Sequence, residues 1–163
     1  MSDDQRAAVQ QVFDGAAETY DAVGVSMFQP IAEQLVADLS PRSGERALDV
    51  GCGRGAVLFR LAEAVGPTGR AVGIDLSPRM VEATTADAGA AGLAVEVSVG
   101  DAQAPDVPDA AFELVASSLV LFFLPDPAAA LAAWHGKLVE GGRLGVSTFG
   151  PLSDSWYDVD ATF

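Results

Sequence analysis

The sequence predicts a doubly wound, mostly parallel α/β domain, and three observations carry the prediction. Strand-like and helix-like segments alternate from residue 46 to residue 149. The stretch "LDVGCGRG" at 48–55 breaks an apolar strand into three closely spaced glycines, and a carboxylate stands at or near the end of each of the first three strands, at Asp49, Asp75 and Asp101. Strands separated by helices belong to a parallel sheet covered on both faces and joined by right-handed crossovers. Ligands of such sheets lie outside the carboxyl ends of the strands, where the winding reverses.

Each element has its own local signal. Ser2 with Gln5 three residues on forms a capping box for a helix carrying Val9, Val12, Phe13 and Ala16, and "QPIAEQLVADLS" reads as a second helix with Ile31, Leu35 and Leu39 on one side. The first strand is "RALDV", followed by a helix from about residue 54 to 65, the turn "GPTG" and the strand "RAVGID". Ser77 and Pro78 open the next helix, which leads to the strand "AVEVSVGD". A polar loop with Pro105 and Pro108 precedes the strand "FELVASS". Asp126 as cap and Pro127 in the first turn open a helix of alanines with Leu131 and Leu138, stopped by the glycines at 141 and 142, before a fifth strand "RLGVSTF". The expected organisation is one domain over 1–163, with N-terminal helices over 1–42, a core over 46–149 and a tail over 150–163.

Composition narrows the partners. A chain of 163 residues that is 50% hydrophobic can bury one sizeable core. Nine basic against 23 acidic residues leave a net charge of −14, which repels a phosphate backbone or an anionic lipid surface, so neither nucleic acid nor membrane is expected as a partner. The run "LVASSLVLFFL" at 114–124 is too short to span a bilayer, which takes about 20 apolar residues. Cys52 has no mate, and "MSDDQRAAVQ" lacks the basic start and apolar run of a secretion signal, so the cytoplasm is the expected compartment.

Taken singly, each strand-end acid reads as a turn residue or helix cap, and one glycine would serve a tight strand-to-helix turn. Gly51, Gly53 and Gly55 exceed that need and clear side chains from backbone N–H groups at a helix start, where an anionic ligand group commonly sits. Residues 51–56, "GCGRGA", also satisfy the dinucleotide pattern, with Asp75 some 20 residues beyond. Charge separates the readings. Asp49 lies just before the glycines, where a pyrophosphate would have to pass it. A ligand with a carboxylate for the loop, an ammonium and sulfonium for nearby acids, and a ribose and base for Asp75 and Asp101 suits these residues better, and S-adenosylmethionine is such a ligand.

In four ordered stretches, "LDVGCGRG" at 48–55, "VGIDLSPRMVEAT" at 72–84, "VGDAQAPDVPDAAFELVASSLVLFFLPDP" at 99–127 and "LVEGGRLGVSTF" at 138–149, the chain resembles the class I S-adenosylmethionine-dependent methyltransferases that act on small molecules. The resemblance implies that Gly51, Gly53 and Gly55 cradle the methionine portion, with Asp49 in its hydrogen-bond network. It implies that Asp75 holds the ribose hydroxyls, that Leu76 and Met80 cover the adenine, that Asp101 accepts from the exocyclic amine and that the backbone of Ala102 meets the ring. Ser117, Ser118 and Leu119 would lie beside the reacting methyl. "VFDGAAETYDAVG" resembles the lead-in helix of these enzymes and would put Tyr20 and Asp21 at the cofactor entrance. S-adenosylhomocysteine would be the product and a small molecule methylated at oxygen, carbon or nitrogen the acceptor. No catalytic side chain and no metal are assigned.

The remaining reactive side chains read more plainly. His135 follows Trp134 on a helix and reads as a surface or packing residue, Cys52 as a small residue that fits the turn, and Arg54 either as a partner for the ligand carboxylate or as an exposed first-turn residue. Trp156 and Tyr157 line a pocket or pack the tail. The family usually continues past its fifth strand into a helix and an antiparallel strand pair. This sequence ends at Phe163, so either it is a fragment of a longer chain or the missing sheet edge is supplied by another chain, and without the pair the fifth strand is left as an open edge suited to a homodimer. Two rival functions share the glycine loop: a nicotinamide-dependent oxidoreductase, for which no Ser/Tyr/Lys relay follows, and a non-catalytic module that keeps the cofactor fold.

Overall fold

Five apolar runs, β1 (Arg46–Val50), β2 (Arg70–Asp75), β3 (Val95–Val99), β4 (Phe112–Ser118) and β5 (Leu138–Ser147), pair into one sheet. The computed structural model describes residues 3–17 and 28–150. Its strand order is β3-β2-β1-β4-β5, and every neighbouring pair is parallel. Among the described residues no antiparallel pair follows β5. The helices are α1 (Asp3–Ala16), α2 (Phe28–Leu39), α3 (Leu58–Val65), α4 (Pro78–Ala91) and α5 (Pro127–Gly136), with a 3₁₀ turn at Leu121–Phe123 after β4.

The alternation of β1 decides the two faces of the core. Ala47 points into a cluster with Leu35, Val36 and Leu39 of α2 and Leu61 and Val65 of α3. Leu48 and Val50 point the other way, to Val72, Ile74, Phe112, Val115 and the fully buried Trp134 of α5. At the amino ends of the strands, Glu113 of β4 accepts from both the backbone and the guanidinium of Arg46, and those bonds pull its carboxyl down to about 2. The pair pins the register of β1 on β4 at the end opposite the ligand side.

Local chemistry explains where the elements begin. Ser77 caps α4 by accepting from Met80 N–H, and Asp126 caps α5 by accepting from Ala129 N–H, each with proline in the first turn. The helix expected from residue 54 starts at Leu58 instead, because Gly51, Gly53 and Gly55 take φ of 76°, 47° and 83° and keep the chain out of helical geometry. The helix expected to run to the 141–142 glycines ends at Gly136. Ala111 and Phe112 both donate to the Lys137 carbonyl, so Leu138 pairs with Phe112 as strand. The glycines instead make a bulge, in which Leu138 to Arg143 of β5 stands against Phe112 to Leu114 of β4. Val12 is 67% exposed, since α1 turns Val9 and Phe13 inward.

Candidate functional site

β1 and β4 are neighbours, yet the chain leaves β1 toward β2 and leaves β4 toward β5. That divergence opens a cleft above their carboxyl ends. The cleft holds about 660 Å³ out to its mouth, and Gly51, Gly53, Asp75, Leu76, Met80, Asp101, Ala102, Ser118 and Leu119 all line it. A second hollow of about 460 Å³ lies on the other side of the glycine loop and shares Gly51, Gly53, Ser118 and Leu119 with the first. Asp49 faces this second hollow.

The loop is held by its own backbone. Gly51 and Cys52 N–H both donate to the Ile74 carbonyl, Gly53 N–H donates to Asp75 Oδ2 at 2.8 Å, and the Thr84 hydroxyl donates to the Gly53 carbonyl. A Cβ at Gly51 would overlap the side chain of Val120, whereas one at Gly53 would meet nothing within 4 Å. Gly51 therefore serves packing. Gly53 leaves its space to the cleft. We expect Gly53→Ala to fold, at a cost of about 1 kcal/mol for an alanine at positive φ, and to bind cleft ligands about tenfold more weakly by calorimetry because its methyl fills that space.

Electrostatics distinguish the three acids. Asp49 is 1% exposed and neither carboxylate oxygen has a hydrogen-bond partner. Burial, and then the charge of Asp75, push its carboxyl up to about 8; the backbone N–H of Leu58, near but outside hydrogen-bonding geometry, offsets part of this. Asp75 is half-buried and accepts from Gly53 N–H on one oxygen and Ser77 N–H on the other. Burial still raises its carboxyl despite those bonds. Asp101 accepts from Gln103 N–H at 2.8 Å and lies 3.4 Å from the Arg6 guanidinium of α1.

Other expected residues lie outside the larger cleft. Ser117 does not line the cleft: strand alternation turns it into the sheet, where it is fully buried and donates to the Val50 carbonyl at 2.8 Å. Gly55 is buried beneath Phe59 and outside both hollows. Arg54 lines the smaller hollow: its two terminal nitrogens donate to the Ala17 carbonyl and pair with Asp87, tying the end of α1 to α4, while its buried Nε has no hydrogen-bond partner. Burial, with the charges of Asp49 and Asp75, raises the Cys52 thiol well above its ordinary value, which removes it as a nucleophile at neutral pH. His135 is exposed. Tyr20, Asp21, Trp156 and Tyr157 lie outside the described residues.

The cleft also has walls that the sequence reading missed. Val9 and Phe13 of α1 close one side and Val120, Phe123 and Leu124 the other, with Phe13 and Phe123 in edge contact at a centroid distance of 5.4 Å. The spacing of Val9 and Phe13 by one helical turn was the available signal, but it reads equally as core packing.

Comparison with known proteins agrees with this architecture. A family model described as a methyltransferase domain matches residues 47–142. The chain is 44% identical over 137 residues to an aklanonic acid methyltransferase of Streptomyces sp. (strain C5), covering 83% of this chain and 62% of that protein. It is 46% identical over 142 residues to a nocamycin O-methyltransferase of Saccharothrix syringae, covering 86% of this chain and 50% of that protein. The chain thus spans between half and two thirds of the length of these relatives. Among solved structures, a SAM-dependent methyltransferase from Aquifex aeolicus superposes with a TM-score of 0.70 at 21% identity, over 86% of this chain and 82% of that one, which shows a shared fold.

Proposed function

The chain belongs to the methyltransferase-domain family, and from that premise and the cleft we propose that it binds S-adenosylmethionine and takes part in moving the methyl group to a small molecule. The observation that carries the reading is the buried Asp49 carboxyl, unpartnered beside a glycine loop that keeps open space at Gly53. An orphaned buried acid is stable with its proton on, and it ionises where a cation is brought against it. The ammonium of a bound amino acid is such a cation.

S-adenosylmethionine, when bound, supplies a methyl already activated by its sulfonium. The work left to the chain is holding, aligning and drying the reactants. Asp49, Gly51 and Gly53 would take the methionine portion in the smaller hollow. Asp75 has a free lone pair on each oxygen beside its bonds to Gly53 and Ser77 and can accept from the two ribose hydroxyls. Leu76, Met80 and Ala102 would hold the base and Asp101 its exocyclic amine. Ser118 and Leu119 line the stretch where the two hollows meet. Relatives named as O-methyltransferases favour oxygen as the methylated atom.

Thermal-shift titration tests the reading, since a ligand that binds only the folded chain raises its melting temperature. S-adenosylmethionine and S-adenosylhomocysteine are expected to raise it and NADH to leave it unchanged. A shift with NADH and none with S-adenosylhomocysteine would transfer the site to the oxidoreductase reading. Among the described residues no helix is long and apolar enough to cross a membrane, and the reading assigns the protein to the cytoplasm. A homodimer would form along the outer edge of β5, which pairs only with β4 among the described strands. Sedimentation velocity over a range of concentrations checks it.

A further inference from the structure

Trp134 lies on α5, outside the cleft, and is fully buried. A buried indole N–H needs an acceptor, and here Nε1 donates to the Ala102 carbonyl at 2.7 Å. The same peptide group presents its other end to the site: the N–H of Gln103 donates to Asp101 Oδ1 at 2.8 Å. Because a peptide group is planar and stiff, fixing its carbonyl fixes the direction of its N–H, and with it the plane of the Asp101 carboxylate. A second tie keeps the loop from turning. The Gln103 side chain donates to the Asp126 carbonyl at 3.0 Å and accepts from Asp126 N–H at 3.2 Å. Asp126 is the cap of α5, the helix that carries Trp134.

We propose that Trp134 is a positioning residue for base recognition, orienting the Asp101 carboxylate through the single peptide Ala102–Gln103 while the Gln103–Asp126 pair holds the loop to α5. This rests on the reading that the cleft holds the adenine of the methyl donor against Asp101. It adds that the base subsite is set in advance from α5 rather than arranged by the ligand. A carboxylate aimed beforehand discriminates an amine from a carbonyl on the base, because the carbonyl leaves it facing a like partial charge.

The test compares S-adenosylhomocysteine with S-inosylhomocysteine, which carries a carbonyl in place of the exocyclic amine, by calorimetry on the full chain. Wild type is expected to prefer the adenine compound. Trp134→Phe, which keeps most of the ring and removes the N–H, is expected to weaken S-adenosylhomocysteine by about fivefold to tenfold and to narrow the preference by the same factor. A merely structural role would weaken both compounds equally and leave their ratio unchanged. Should Trp134→Phe fail to fold, Gln103→Leu carries the same comparison, since it cuts the second tie at a half-buried site. If wild type discriminates and both variants discriminate as well as it does, the reading of the cleft stands and the role of Trp134 falls. If wild type binds both compounds equally, the base does not lie against Asp101 and the proposal falls with the reading beneath it.

Discussion

Binding of S-adenosylhomocysteine is expected to strengthen as pH rises from about 5 to 8, by up to tenfold per pH unit, and then to level off. In the ligand-free chain Asp49 holds its proton up to about pH 8. A cationic ammonium in the adjoining hollow favours the ionised form, so binding must expel the proton at any pH below that value. The expulsion is a cost that grows as pH falls. Asp49→Asn has no proton to expel and is expected to show no such slope, binding more weakly than wild type at pH 8 and about equally near pH 5. Calorimetry in buffers of different ionisation enthalpy reads the proton release directly. A pyrophosphate ligand would bind the already protonated acid with no slope between pH 5 and 8 and would weaken only above about pH 8, where the free acid ionises, so the profile separates the two cofactor classes. Folding stability follows with its own sign. The folded chain keeps a proton that the unfolded chain releases near pH 4, so wild type loses stability relative to Asp49→Asn as pH climbs from about 4 to 8.

Asp75→Ala is expected to weaken S-adenosylmethionine and S-adenosylhomocysteine alike, by about 1.5 to 3 kcal/mol for lost charge-assisted hydrogen bonds. The substitution also strips the acceptor from Gly53 N–H and Ser77 N–H, so the melting temperature should fall as well. Methylthioadenosine, which has the ribose and base but no ammonium, separates the contributions. It should lose as much affinity as the full ligand on Asp75→Ala, lose little on Asp49→Asn, and show no slope between pH 5 and 8. Equal binding of methylthioadenosine by wild type and Asp75→Ala would take the ribose away from this carboxylate.

The strands that carry the site were legible because their signal is local. β1, β2 and β4 have the expected bounds, since apolar runs bracketed by glycine, proline and capping residues leave the chain few alternatives. Gly51, Gly53, Asp75 and Asp101 reach one cleft from their places at the strand ends, and Leu76, Met80 and Ala102, given by the resemblance, line it too. Of the neighbours Ser117 and Ser118, only Ser118 lines the cleft, because in a strand one position is a change of face. The carboxyl of Asp49 also behaves differently from its sequence. A charged acid was expected to repel a pyrophosphate, whereas burial without a partner keeps it neutral until a cation arrives. Trp134, Arg6 and Phe123 acquire their contacts only when α5, α1 and the turn after β4 dock, and no spacing within their own segments records that.

β1 finds one neighbour in β2, next along the chain, and the other in β4, so that the bond from the Ser117 hydroxyl to the Val50 carbonyl spans 67 residues. Pairings so distant in sequence form slowly, because the freedom of the intervening loop is lost before the contact returns anything. Up to β3 the growing chain has its glycine loop and Asp75 but no wall opposite them. Ser118 and Leu119, which line both hollows, arrive with β4 and complete the two together. Ligand competence is therefore a late event with a single onset. In refolding, the recovery of S-adenosylhomocysteine binding and the protection of β4 amides from hydrogen exchange should share one rate constant, with β1–β2 pairing free to precede both.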